Sequence, residues 1–259
     1  MFKKLFFLAA FAALASCSDD DSSTQSSVNN PLPLTQGNYW VYDVQSNAIN
    51  GRDSLYVYSE ANINGTTHKT FKTQNFPFGL YSNALNNSAV IQSGSQLFLT
   101  ALLSPDVAGL PINLDINGFV IFDGNAQNGT QLSQTEDAFN QVIEGMTIQG
   151  TYTFTSFAGE NLSSYTIPSG ETYNNVKSTV LKLNLTISVS MPGFPITYTV
   201  LPAQDVITAT HYYADGVGMI YAVTDVEYEL ADTFGFEIPL PQSMAEHQEE
   251  ILIDYSVQP

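Results

Sequence analysis

Four dipeptides punctuate the chain: Asn50-Gly51, Asn64-Gly65, Asn117-Gly118 and Asp215-Gly216, each set between runs rich in β-branched and aromatic residues. A two-residue type I′ hairpin turn needs positive φ at both central positions, which Asn-Gly and Asp-Gly supply at low cost. A chain punctuated this way must keep doubling back on itself as antiparallel strands. The first two turns predict a three-stranded meander over Tyr39–Val44, Ser54–Ala61 and Thr66–Thr73. Around the third, Ile112, Leu114 and Ile116 alternate with Asn113 and Asp115, and Phe119–Phe122 is expected to return. The fourth joins Val206–Ala214 to Val217–Leu230. Further strands are expected over Ala89–Ala101, Thr147–Phe157, Tyr173–Val189, Ile196–Leu201 and Glu250–Val257.

Helix signals are few. Ser133-x-x-Glu136 has the form of a capping box, with Ala138, Phe139, Val142, Ile143 and Met146 on one helical face. Ser243-x-x-Glu246 is a second box but runs into the alternating EILIDYSV, so it caps one turn at most. Hydrophobic residues make up 44% and charged residues only 12%, a balance that fits a buried core with solvent-facing Ser, Thr, Asn and Gln on strands. The expected fold is all-β: an antiparallel meander of hairpins forming a sandwich or a strongly curved, incomplete barrel, with at most one or two short helices. Gly65–Lys72 and Gly170–Lys177 share a Gly-x-Thr-aromatic-x-x-apolar-Lys pattern, each after a Gly-x-Tyr segment (Gly37–Tyr39, Gly150–Tyr152). Two similar half-sheets and two strands with similar turn chemistry both accommodate this.

The N-terminus carries a different message. Lys3 and Lys4 precede the unbroken apolar run Leu5–Ala15, too short for a membrane-spanning helix of about 20 residues but suited to a signal-peptide core. Leu14-Ala15-Ser16-Cys17 follows, and resembles the lipobox of bacterial lipoproteins. That resemblance implies removal of residues 1–16 and a diacylglyceryl group on Cys17, the single cysteine. A lipidated Cys17 leaves no thiol for catalysis, disulfides or zinc. Ser18-Asp19-Asp20-Asp21 is similar to the acidic export signal of Bacteroidetes-type surface lipoproteins, which implies an outer-membrane lipid anchor with the protein facing the cell exterior. Residues 17–33 read as a lipidated, acidic and Ser-rich tether in which Ser18–Asn30 holds one apolar residue, Val28, and is expected to bury nothing. Residues 34–259 then form a single β domain. Gly37–Tyr42 and Tyr212–Met219 also resemble segments of Bacteroidetes surface-exposed outer-membrane lipoproteins, a likeness that carries over no catalytic or binding residue.

Chemistry-bearing patterns are sparse. With 25 acidic against 7 basic residues and a net charge of −18, the surface repels nucleic acid. Asn113-x-Asp115-x-Asn117-Gly118 imitates the start of a calcium loop, but its twelfth position is Gly124, where a bidentate Glu is needed. Asp225, Glu227 and Glu229 share one strand face, which could hold a hard cation but reads first as a solvated edge. The three histidines, His68, His211 and His247, lack metal-ligand spacing, and His211 shares a face with Ile207, Ala209 and Tyr213. Asp53-Ser54-Leu55 resembles the O-glycosylation site of Bacteroidetes exported proteins, marking Ser54, expected to be exposed beside the Asn50-Gly51 turn.

No nucleophile elbow or paired-carboxylate spacing stands out, so no enzyme activity and no cofactor are expected. The leading expectation is an anchored, surface-displayed accessory, adhesion or scaffolding module, with an outer-membrane protein as partner. The alternative is a ligand binder: an apolar carrier in a lipocalin-like half barrel, or a glycan binder with exposed Tyr rings. The period-two apolar residues Ile112, Leu114, Ile116, Ile251, Ile253, Tyr255 and Val257 are expected to line one face of a filled core.

Overall fold

The computed structural model describes residues 28–105, 107, 109–110, 112–190, 197–232 and 237–258. Twelve strands and one helix follow in order: β1 Tyr39–Ser46, β2 Gly51–Ile63, β3 Thr66–Thr73, α1 Leu80–Leu85, β4 Ala89–Ser93, β5 Gln96–Leu103, β6 Leu114–Asp123, β7 Gln131–Ile143, β8 Met146–Thr166, β9 Thr172–Ser190, β10 Thr197–Ala214, β11 Gly218–Glu229 and β12 Ser243–Ser256. They make one 12-stranded antiparallel sheet in the order β6-β5-β4-β3-β2-β1-β12-β11-β10-β9-β8-β7. The sheet curls into a nearly closed barrel, with β6 and β7 at the two facing edges. The seam is bridged by side chains: the Val120 N–H donates to Ser133 Oγ at 3.0 Å, and Ser156 Oγ donates to the Val120 carbonyl at 2.6 Å. Curling removes most of the exposed edge that an open sheet would offer to other strands.

An up-and-down order puts alternate connections at opposite poles. One pole carries the β2–β3, β4–β5, β6–β7, β8–β9 and β10–β11 connections and the end of β12; the other carries α1 and the remaining connections. The first pole is closed by the segment Val28–Pro33. Val28 and Leu32 are fully buried, and Asp215 Oδ1 accepts the backbone N–H groups of Asn29 and Asn30 at 2.9 and 2.8 Å. These residues, read from sequence as tether, therefore belong to the folded domain. The Asn29 and Asn30 N–H groups and the Asn30 carbonyl are met by the β10–β11 turn, which offsets part of the cost of burying this segment. Trp40 packs above them and donates its indole N–H to the Val217 carbonyl, while the buried Lys177 ammonium donates to the Gly124 and Ala126 carbonyls.

Several expectations need correction. Asn64-Gly65 is a type I′ turn with φ of 51° and 85°, but Asn117-Gly118 does not turn the chain. β6 runs straight through it: Leu99 pairs with Phe119 and Ala101 with Ile116, so Asn117 and Gly118 together oppose Thr100 as a β-bulge. Positive φ at Gly118, 66°, is the requirement that bulge and hairpin share. The Asn50-Gly51 connection is a four-residue loop, and Ala89–Ala101 splits at Gly94-Ser95 into β4 and β5. The expected helix from Ser133 is strand β7, turned into β8 by Glu144-Gly145 with φ of 51° and 82°. Its apolar Phe139 and Ile143 pack on the core at strand parity, and a ladder with β8 pairs it along one side from Gln131 to Ile143. Ser243 likewise opens strand β12 rather than a helical turn.

Gly65–Lys72 and Gly170–Lys177 lead into β3 and β9, the third strand of each six-strand half, whereas the two Gly-x-Tyr segments fall on β1 and β8, which are not equivalent positions. Ile112, Leu114, Ile116 and Ile251 are buried, but Ile253 is 40% exposed and Leu252 takes its place. The cause is a bulge: Val41 pairs with Asp254 and Tyr42 with Leu252, which leaves Ile253 as the extra residue and reverses the parity of β12.

Candidate functional site

Helix α1 sits in the barrel mouth at the pole away from Val28–Pro33, and distant residues hold it there. Asp53 on β2 accepts the N–H groups of Phe78 and Gly79, with the Gly79 bond at 2.7 Å. Gln248 Oε1 on β12 accepts the Leu80 N–H at 2.7 Å, and Glu250 accepts from the N–H of Tyr81 and from both the N–H and hydroxyl of Ser82. A helix start exposes four unpaired N–H groups, and here the opposite barrel wall receives them. Glycine is required at 79 because a Cβ would lie 2.1 Å from the Glu250 carboxyl.

Beneath and beside α1 the barrel interior is not filled. A half-open cavity of about 610 Å³ runs between α1, the end of β5 and the inner faces of β6 and β8–β11. Its apolar walls include Leu99, Leu114, Ile121, Phe154, Leu183 and Ile207, with Phe76 and Leu102 exposed at the mouth, and Asn83, Asn86, Asn87, Ser88, Ser104 and Thr224 add polar groups to the lining. This overturns the expected filled core: the volume lies within the roughly 300–1,000 Å³ of small-molecule sites. The connection after β5 accounts for the geometry. Val107 and Leu110 fold back against Leu185, Ile187, Leu201 and Tyr228, filling one side of the mouth and leaving the α1 side open.

Ile207, Ala209, His211 and Tyr213 descend the β10 wall at period two, toward the closed pole. At the deep end the Tyr81 ring stands edge-on to His211 with centroids 5.0 Å apart, and Tyr213 lies 6.4 Å from each. The Tyr81 and Tyr213 hydroxyls are shut off from solvent and lie close enough to act as a hydrogen-bonding pair, which holds the proton on Tyr81 and favours ionisation of Tyr213. Burial pushes both phenols up, pulls His211 down to about 4 and raises Glu250 to about 7. In Glu250 desolvation outweighs three donated hydrogen bonds that favour the carboxylate. At neutral pH the cavity is therefore lined by uncharged groups. Among the described residues, no Asp, Glu, Lys or Arg lines it.

The residues singled out from sequence lie elsewhere. Cys17, Ser18, Asp19, Asp20 and Asp21 fall outside the described residues. Ser54 is half-buried in β2, and its neighbour Asp53 is buried against Phe78 and Gly79 rather than exposed at a turn. Asp225, Glu227 and Glu229 are exposed on β11, where Asp225 pairs with His247 at 2.7 Å; among the described residues no three His, Cys, Asp or Glu side chains converge as metal ligands. On the outer wall Tyr165, Tyr212 and Tyr221 stack on one another, with 4.4 Å between the first two rings, so their faces cover each other rather than forming an open row. Sequence reading missed α1, Asp53, Tyr81 and Glu250; an acid at an inward position of an apolar strand was the available signal for Glu250. Among the described residues, no helix is long and apolar enough to cross a membrane.

No family model matches the chain, and no curated protein resembles it. Among solved structures it is similar to a protein of Parabacteroides distasonis ATCC 8503 described as a lipoprotein, at 13% identity and a TM-score of 0.39, over 89% of this chain and 100% of that one.

Proposed function

We propose that the protein is a carrier that holds an apolar small molecule inside its barrel while lipid-anchored through Cys17 at the outer face of the outer membrane. One observation carries the binding part of this reading: the half-open cavity of about 610 Å³, walled by Leu, Ile and Phe at a place where a closed sandwich would pack side chains against each other. A scaffold or adhesion module, the first expectation from sequence, has no use for such a void. The lipobox and the Ser18–Asp21 run support the anchoring and display. Position 28 enters the fold at the pole opposite the mouth, so a carrier tethered at Cys17 would open away from its anchor.

The test is titration of the mature chain carrying Cys17→Ser with N-phenyl-1-naphthylamine, an uncharged probe that fluoresces in apolar surroundings. Saturable binding is expected, and Ala209→Phe, which fills the cavity from the β10 wall, should abolish it while leaving the strand signal in circular dichroism unchanged. Absence of saturable binding by the parent chain overturns the carrier reading.

A further inference from the structure

The large apolar side chains that the barrel leaves in water gather at one pole. Phe76 is 86% exposed, Leu102 70%, Val142 66% and Ile49 58%, and no other large apolar side chain among the described residues is as exposed. All four stand on loops or strand ends at the pole of the mouth. The Phe78 ring lies over Gly51 and so joins the β1–β2 loop to the α1 connection. An apolar collar thus runs from Ile49 through Phe78 to Phe76 and Leu102 at the cavity opening. Scattered singly such residues mean little, but gathered round an opening they mark a contact surface.

Charge selects what the surface meets. The chain carries a net charge of −18, yet Gln74–Ser88 contains no charged residue. Arg52 and Lys72 stand at the ends of β2 and β3 beside the collar, and among the described residues neither pairs with a carboxylate, whereas Lys69 and Lys182 pair with Glu60 and Asp205. The exposed acids Glu227, Glu229 and Glu246 lie on β11 and β12 rather than on the loops of the collar. Asp43 and Asp115 sit across their ladders from Arg52 and Leu102, which keeps any insertion shallow. Protruding apolar tips backed by unpaired cations suit an interface of acyl chains and phosphate headgroups. A folded protein partner would instead need a continuous complementary face, and the collar is a set of tips on separate loops.

We infer that the collar docks on a phospholipid bilayer, with Phe76, Phe78, Leu102 and Ile49 sunk among the acyl chains and Arg52 and Lys72 on the phosphates. Its use rests on the carrier reading above: docked so, the cavity opens into the bilayer, and an apolar cargo passes between the two without crossing water. Val28 enters the fold at the other pole, so the tether leaves the collar free.

Flotation of the mature Cys17→Ser chain with phosphatidylcholine vesicles at physiological salt reads the docking, and titration with N-phenyl-1-naphthylamine in the absence of vesicles reads the cavity. The parent should float. Phe76→Asp and Ile49→Asp should each lower the partition coefficient at least about tenfold, whereas Ile253→Asp, at an exposed apolar position outside the collar, should leave it unchanged. Ile49 does not line the cavity, so Ile49→Asp should bind the probe as the parent does. Failure of the parent to float while it still binds the probe, or equal flotation of the parent and both collar variants, overturns the docking and leaves the carrier reading intact. Capture by native outer-membrane vesicles but not by pure lipid assigns the collar to a protein partner and overturns it as well. Failure of the probe to bind overturns the carrier reading, while flotation lost only in the collar variants still upholds the docking.

Discussion

Glu250 and His211 are joined through Tyr81: its backbone N–H donates to the Glu250 carboxylate, and its ring stands edge-on to the His211 imidazole at 5.0 Å. Burial acts on the two in opposite senses, raising the acid from 4.5 to about 7 and lowering the base from 6.5 to about 4. The folded state therefore binds an extra proton at Glu250 between about pH 4.5 and 7, which costs stability as pH rises. It lacks a proton at His211 between about pH 4 and 6.5, which costs stability as pH falls. Over the shared window the two slopes, each about 1.4 kcal/mol per pH unit at most, cancel. Glu250→Gln should gain stability relative to the parent as pH rises from 4.5 to 7, and His211→Asn should lose it as pH rises from 4 to 6.5. Urea unfolding at pH 4.5, 5.5 and 6.5 reads both differences, and flat differences would refute the opposed burial.

Gly79→Ala should dislodge α1. The added methyl meets the Glu250 carboxyl, which is buried and already bonded to the first turn of the helix, so those N–H groups lose their acceptor. The expected loss is on the order of 2 kcal/mol, seen as a lower urea midpoint. An unchanged midpoint would mean that Glu250 can move aside freely.

Leu32→Ala should cost about 2–5 kcal/mol, the range for a fully buried leucine, although sequence placed Leu32 in a polar tether. A chain starting at Leu34 should lose more, since Val28 and the Asn29 and Asn30 bonds to Asp215 go with it. If the shortened chain melts with the parent, the segment does not close the pole.

Cys17→Ala should release the protein from membranes or leave it unprocessed, and continued membrane partitioning would refute the lipobox. Replacement of Asp19, Asp20 and Asp21 by Ala should keep the anchor but hide the protein from external protease on intact cells. Undiminished cleavage would reduce the acidic run to a spacer.

What sequence could show depended on whether the deciding interaction was local. β3 was readable because Asn64-Gly65 settles the direction of the chain by itself. Helix α1 was not, because the acceptors for its first turn come from residues 53, 248 and 250, far along the chain. Asn117-Gly118 misled for a related reason: positive φ at Gly118 serves a bulge as well as a turn, and the choice is made by pairing with β5. The cavity was hidden because apolar content records how much hydrocarbon is buried, not whether its side chains touch one another. At the other pole Val28 looked like an apolar accident in a polar run until Asp215 was seen to hold the backbone beside it.

Pairing of β1 with β12 has a consequence for how the domain comes together. Every other ladder joins strands adjacent in sequence, whereas this one closes Tyr39 onto Ser256. Closing so long a loop costs about 3 kcal/mol more entropy than a ten-residue hairpin, by the logarithmic dependence on loop length. Two six-stranded meanders should thus form quickly on their own and zip along β1–β12 last, so that pulse-labelled amides of those two strands gain protection after the rest. Until that moment each half presents a bare strand edge, and the interval before zipping is when neighbouring chains are most able to pair with it.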